Sequence, residues 1–271
     1  MKRLKLPPLL LGLFNFRIIG YNAAPERQAG AGYGIISLMC GAYGFSVKDA
    51  REVYDRFGVM NKLLDFKPHW RIGIGSMNPV IYMTADGAQI KEMYWSFLPS
   101  WAKEKRLQFS TFNARDDRLL ESIYKVAVPR QRCIIPATYF FEPDRVHFPK
   151  PQNAPWYAFK LKDQNIMALA GLYNAWTDQK TNEELYTYTI ITTKPNAVVG
   201  QYHDREPAIL NREREQQWLN PDITEPQHIL PLLKPYPPET MESWRVPDAA
   251  KNPRNDTPEV IQPVSALSPL E

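Results

Sequence analysis

Two cysteines in 271 residues are too few for a disulfide framework, and Cys40 and Cys133 sit in unlike neighbourhoods. A reducing, cytoplasmic setting is the simpler expectation. No Cys-x-x-Cys pair occurs and the four histidines are scattered, so no zinc-ligand spacing is present and neither metal nor cofactor is expected. Long apolar runs are missing too. The stretch from Leu6 to Phe14 is short, carries Pro7 and Pro8, and is soon followed by Arg17, which excludes a membrane span there. Repeats and low-complexity tracts are absent. Neither sign of charge dominates: 33 basic against 29 acidic residues leave +4, an excess that suits an acidic partner without identifying one.

What is present is a composition able to bury a core, with 44% hydrophobic, 12% aromatic and 23% charged residues. The first 39 residues differ from the rest. Lys2, Arg3 and Lys5 precede the short apolar run, and an Ala/Gly-rich stretch follows without a convincing cleavage context. The expectation is that translation starts at Met39, or that a leader is removed, that residues 40–264 form one domain, and that 265–271 fray.

Within that domain, β-branched and aromatic residues, several in alternation with polar ones, predict strands at Val80–Thr84, Gln89–Phe97, Arg132–Phe141, Trp156–Leu161, Ile166–Tyr173 and Leu185–Thr193. Ser46 and Asp49 look like a capping box for a helix through Phe57, ended by Gly58. Asp116–Val128, stopped by Pro129, and Arg212–Leu219, capped by Asn211, read as two more helices. Prolines crowd the chain after Leu219, which predicts an ordered wrap of loop and short helix, and Pro258–Val264 reads as a closing strand. The fold class is α+β: a single β-rich domain, mainly antiparallel, with several helices.

Four short motifs carry chemistry. In Met39-Cys40-Gly41, removal of the methionine would expose an α-amine and a thiol on adjacent carbons, with ordinary pKa values of ~8 and ~8.5. Such a pair traps aldehydes by imine formation and ring closure, although a cysteine is also an ordinary small core residue. His203, in Tyr202-His203-Asp204-Arg205-Glu206-Pro207, stands where a loop can hold a proton-transfer group, or where an exposed turn histidine would sit. Glu142 follows Tyr139, Phe140 and Phe141, a surround that would raise its pKa; a solvated strand-end glutamate fits the same pattern. Asn113-Ala114-Arg115 joins an amide able to orient a hydroxyl to a guanidinium suited to phosphate, or is simply a turn beside a surface arginine.

Taken together, these positions resemble the SOS response-associated peptidase (SRAP), or abasic-site processing, family. The matching pieces are Met39-Cys40-Gly41, Trp95-Ser96-Phe97-Leu98-Pro99-Ser100-Trp101, Phe112-Asn113-Ala114-Arg115, Arg132-Cys133-Ile134-Ile135-Pro136, Phe141-Glu142, His203-Asp204-Arg205 with Pro207, and Val260-Ile261-Gln262-Pro263-Val264. The resemblance implies a groove that holds single-stranded DNA and a thiazolidine linking Cys40 to a ring-opened abasic sugar. It also implies that Asn113 positions the sugar, Glu142 assists amine attack, and His203 promotes ring opening and proton transfer. Arg115 and Arg205 would hold flanking phosphates and Trp101 would offer a stacking face. The expected protein is a cytoplasmic monomer, nucleoid-associated during repair if bacterial, with no membrane partner and possible self-processing peptidase activity.

The resemblance breaks at four places. Ala42 and Tyr43 stand where the family usually has arginine; Trp70–Ser76 replaces a Tyr-Asn-x-Ala-Pro loop; Pro143 stands where tryptophan is frequent; and Glu206 replaces a methionine, which would set a negative charge near the phosphates if it faced the groove. Residues 1–39, if retained, would acylate the amine of Cys40. Two rival classes share features of the sequence. A class II amidotransferase also begins Met-Cys-Gly, but its Arg-His-Arg-Gly-Pro-Asp-like segment is missing. A non-catalytic single-strand binder would need only the charge and the tryptophans.

Overall fold

A computed structural model describes residues 41–62, 67–105 and 107–264. Cys40, the leader region 1–39 and the predicted frayed tail lie outside the described residues.

The described residues contain thirteen strands: β1 Ala42–Phe45, β2 His69–Gly73, β3 Met77–Thr84, β4 Gly87–Trp95, β5 Asn113–Arg115, β6 Arg132–Ala137, β7 Tyr139–Pro143, β8 Trp156–Leu161, β9 Met167–Thr177, β10 Glu184–Thr193, β11 Glu206–Pro207, β12 Ile209–Leu210 and β13 Met241–Val246. They form two sheets. One is wholly antiparallel in the order β13-β8-β7-β1-β2. The other has the order β11-β10-β4-β3-β6-β9-β12, and a further pairing of β9 with β10 closes β10-β4-β3-β6-β9 into a five-stranded barrel. Closure leaves those five strands without an open edge.

Strand β10 organises the barrel. One of its edges takes β4 at Thr187–Tyr188 and then β5 at Ile190–Thr192, both parallel. Its other edge takes β9 along Glu184–Ile190 and then β11 at Thr192–Thr193, both antiparallel. Gly171 on β9 packs so closely that a Cβ there would meet Ile135 Cδ1 at 2.2 Å and the Thr189 carbonyl at 2.7 Å. At the opposite end, the β3–β4 hairpin turns through Gly87 at φ 101°, a backbone conformation that favours glycine.

The predicted single strand Arg132–Phe141 is two strands in different sheets. Up to Ala137 the chain pairs with β9 and β3; from Tyr139 it pairs with β1 and β8. Thr138 makes the crossing, and its N–H donates to the Gly44 carbonyl at 2.8 Å. A continuous apolar run looks the same in one sheet or two, since both halves are buried. The core fills the space between the sheets: Trp95 stacks on Tyr188 with rings 6.1 Å apart and meets Tyr43 edge-on at 5.2 Å. Each such side chain contributes roughly 2–3 kcal/mol by burial.

Two helices form where the capping residues predict them. α1, Ala50–Phe57, starts at Asp49, whose carboxylate accepts from the Arg51 N–H, and stops at Gly58 in the left-handed region. Ser46 takes no part in this cap; its N–H and hydroxyl face Thr138. α2, Arg212–Leu219, starts at Asn211, whose amide oxygen accepts from the Arg214 N–H. The predicted helix Asp116–Val128 is instead a 3-10 turn over Asp116–Glu121 followed by irregular turns. Tertiary bonds win there: Ser122 Oγ donates back to the Leu119 carbonyl, and the Tyr124 hydroxyl reaches the carbonyls of Thr111 and Asn113. The closing strand predicted at Pro258–Val264 is also a 3-10 turn, Pro258–Ile261, begun by proline at its first position. Instead β13 closes the antiparallel sheet. The Trp70–Ser76 segment, expected as a variant loop, contributes most of β2.

Candidate active site

Glu142 sits on β7 between Phe141 and Pro143, and strand alternation turns its side chain to the opposite face from theirs. That face is the one turned to the main core, where Phe140 stacks on Phe159 at 5.0 Å. His203 arrives from the far side on the loop after β10. A 3-10 turn at Val199–Gln201 sets this loop, with the N–H groups of Tyr202 and His203 both donating to the Val199 carbonyl at 2.9 Å. Asn196 Oδ1 accepts from the N–H groups of Val198 and Val199 and fixes the start of the turn. The loop is then tied to the end of β7, because the N–H groups of Arg145 and Val146 donate to the Tyr202 carbonyl at 2.8 and 3.3 Å. Tyr202 stacks on Tyr157 at 4.0 Å, and Tyr157 is the cross-strand partner of Glu142.

These constraints bring His203 Nε2 to 3.8 Å from Glu142 Oε2, with both side chains fully buried. Nε2 makes no hydrogen bond among the described residues. The opposite ring nitrogen, Nδ1, lies 3.1 Å from both the N–H and the carbonyl of Arg205, accepting from one or donating to the other according to its tautomer. A carboxylate and an imidazole held dry at this separation, one nitrogen unbonded, form an acid–base pair with space for one hydrogen-bonding atom between them. The surface-histidine and solvated-glutamate readings of the sequence are both excluded by this burial.

Asn113 begins β5, held parallel to β10 opposite Ile190. Arg115 ends the same strand, half-exposed, with two hydrogen bonds to Asp117 at 3.0 and 2.7 Å. That guanidinium holds the Asp117 carboxyl down to about 2, while Asp117 raises Arg115 in turn. Arg205 is different. It is 3% exposed, and its Nη2 donates to Asp116 at 2.6 Å and to the Thr192 carbonyl. Since Asp116 directly follows Arg115 and Arg205 lies two residues beyond His203, this buried ion pair ties the Asn113 segment to the His203 loop.

Trp101 is 60% exposed and lines a cavity of about 380 Å³ with Lys103, Glu104, Leu107, Gln108 and Phe109. Glu206 does not face a groove: it is fully buried, and its carboxylate accepts from the Asn196 N–H at 2.9 Å and the Tyr236 N–H at 3.1 Å. Burial drives its pKa up to about 7 despite those two bonds. The charge expected near phosphates is therefore a core group supporting the histidine loop. Ala42 and Tyr43 are likewise interior, and the Tyr43 hydroxyl meets that of Tyr188 at 2.9 Å. Pro143 remains in the β7–β8 ladder opposite Trp156.

Asp116, Tyr157 and Tyr202 escaped notice as supports of the site. Tyr202 and Asp116 do adjoin recognised motifs, which is the one signal available for them. Among the described residues, no three His, Cys, Asp or Glu side chains are arranged to hold a metal ion, and no helix is long and apolar enough to cross a membrane.

A mixed, mainly antiparallel β architecture with a buried glutamate–histidine pair defines the class, and comparison with known proteins agrees. Residues 39–253 match the family described as SOS response associated peptidase (SRAP). The chain belongs to that family. It is 35% identical over 228 residues to the abasic site processing protein YoqW of Bacillus subtilis, covering 83% of this chain and 99% of that one. It is 30% identical over 234 residues to the abasic site processing protein HMCES of Gallus gallus, covering 76% and 69% of the two chains. A crystal structure of a protein from Bacteroides thetaiotaomicron aligns over 83% of this chain and all of its own, with a TM-score of 0.70 and 28% identity.

Proposed function

We propose that this protein captures abasic sites in single-stranded DNA by forming a thiazolidine through Cys40. The observation that carries this reading is the buried Glu142–His203 pair at 3.8 Å. The register of β1 on β7 pairs Ala42 with Phe141, so one more residue along it sets Gly41 level with Glu142. The chain thus leads toward Cys40 beside the acid–base pair. The names of the relatives, abasic site processing proteins, supply the substrate.

The chemistry balances without an added reagent. The α-amine of Cys40 adds to the sugar aldehyde and water leaves, giving an imine; the thiol then adds across the C=N bond, its sulfur to carbon and its hydrogen to nitrogen. His203 opens the sugar ring and Glu142 moves protons to and from the departing oxygen. Asn113 positions the sugar, and Arg115 exchanges Asp117 for a phosphate. Arg205, already committed to Asp116, acts as a positioning residue and not as a phosphate ligand. Trp101 stacks on an unpaired base. The protein works as a cytoplasmic monomer, and binding falls with salt but depends little on sequence. The family's description as a peptidase favours a companion activity, self-cleavage before Cys40.

The test uses purified protein whose N-terminus is read by intact mass, as the full chain and as the form beginning at Cys40. The latter should give a denaturation-resistant adduct with an abasic oligonucleotide and none with a reduced abasic site, and Cys40→Ala should abolish it. Adducts of equal yield on both oligonucleotides, or from a chain that retains residues 1–39, would overturn the proposal.

A further inference from the structure

The turn that leaves β7 holds a second carboxylate–imidazole pair. Asp144 lies two residues beyond Glu142, and the ladder continues to it through its N–H, which donates to the Pro155 carbonyl at 2.9 Å. Strand alternation therefore puts Asp144 on the same face as Glu142. Its side chain is 5% exposed, and its influence on the neighbouring Tyr157, the residue opposite Glu142, helps raise that phenol after burial and Tyr202. Asp144 Oδ1 accepts from the His147 N–H at 2.9 Å, and the His147 ring sets Nδ1 at 3.0 Å from both carboxylate oxygens. The ring itself is 62% exposed.

This pair differs from the inner one in the way a relay requires. The carboxylate fixes the proton on Nδ1 and so leaves the Nε2 lone pair of His147 facing outward, basic and accessible. Between Asp144 and His147, the N–H groups of Arg145 and Val146 are both bonded to the Tyr202 carbonyl, so the outer histidine hangs within two residues of the peptide that precedes His203. The inner pair is fully buried and has no exposed group of its own through which protons could exchange with water.

We propose that His147, oriented by Asp144, is the proton relay between solvent and the Glu142–His203 pair. This rests on the thiazolidine reading above. Each capture needs an acid to protonate the departing hydroxyl and a base to accept the proton given up by the thiol; His147 returns that acid to its starting state between the two steps. It acts through the inner pair and does not touch the sugar. Asp144 is a positioning residue, and neither contributes to holding the strand.

Single-turnover cross-linking of an abasic oligonucleotide tests this in whichever protein form cross-links. His147→Ala should slow adduct formation by about tenfold or more, and added imidazole should restore the rate. Asp144→Asn should slow it to a similar extent, while affinity for a reduced abasic oligonucleotide and its salt dependence stay as in the parent. Unchanged rates overturn the relay. Slow rates that imidazole does not restore, or a lowered affinity with a shallower salt dependence, overturn it as well and make His147 a structural or phosphate-contacting residue. If the parent protein itself forms no adduct, the failure belongs to the thiazolidine reading.

Discussion

Glu206 offers a measurement whose sign and size follow from its surroundings. The carboxyl is fully buried, and its pKa rises from an ordinary 4.5 to about 7 because burial penalises the charged form more than the Asn196 and Tyr236 N–H groups favour it. A carboxyl whose folded pKa exceeds its unfolded one binds protons better in the native state. Its contribution is therefore complete below pH 4.5 and lost as the pH rises through about 7. The full displacement corresponds to about 3 kcal/mol, of which about 2.5 kcal/mol is lost between pH 5 and pH 8. Other groups titrate over this range, so the quantity to follow is the difference from Glu206→Gln, which keeps the shape and removes the titration. Its amide oxygen satisfies only one of the two N–H donors, an offset of about 1–3 kcal/mol that does not vary with pH. Urea unfolding of both proteins at pH 5, 6, 7 and 8 should show the advantage of the parent shrinking by about 2.5 kcal/mol across the series. A constant difference would refute the assignment of a neutral, desolvated carboxyl at the base of the histidine loop.

His203→Ala should slow cross-link formation by about a hundredfold or more, with equilibrium binding to a reduced abasic oligonucleotide changed by less than about twofold; rapid-quench time courses and anisotropy read the two separately. Arg205→Ala leaves Asp116 without its buried partner and should cost about 3 kcal/mol in urea unfolding, whereas loss of an exposed phosphate contact would cost almost none. Gly171→Ala drives a methyl into Ile135 and the Thr189 carbonyl, and should lower stability by about 2 kcal/mol or more without affecting the surface-exposed Trp101 region.

Much of the fold is legible in local pattern. Alternation marks β3, β4, β8 and β10, and Asp49, Gly58 and Asn211 mark helix ends, because in each case the signal and the structure lie within one element. Pairing over long distance leaves no such mark. Phe45 pairs with His69 and Trp156 with Val246, so β1, β2 and β13 are defined by partners that a local window cannot see. The turn at Thr138 and the loss of the Asp116–Val128 helix have the same origin, a tertiary bond outbidding local preference. For the site, the motifs around Glu142, His203 and Asn113 are visible in the sequence, but the 3.8 Å approach of Glu142 to His203 is not. Nor does a motif distinguish the half-exposed Arg115 from the buried Arg205, since only the neighbours Asp116 and Thr192 decide which guanidinium is already engaged.

Because β4 and β5 dock in succession on one edge of β10, the intervening segment 96–112 departs from a rigid rail and returns to it a few residues further on. Asn113 takes its position from Ile190 and not from the path travelled to reach it. Relatives are therefore free to lengthen, shorten or rebuild that excursion, with Trp101 and Phe109 upon it, and so to retune what kind of strand they grip while the reacting groups keep their spacing.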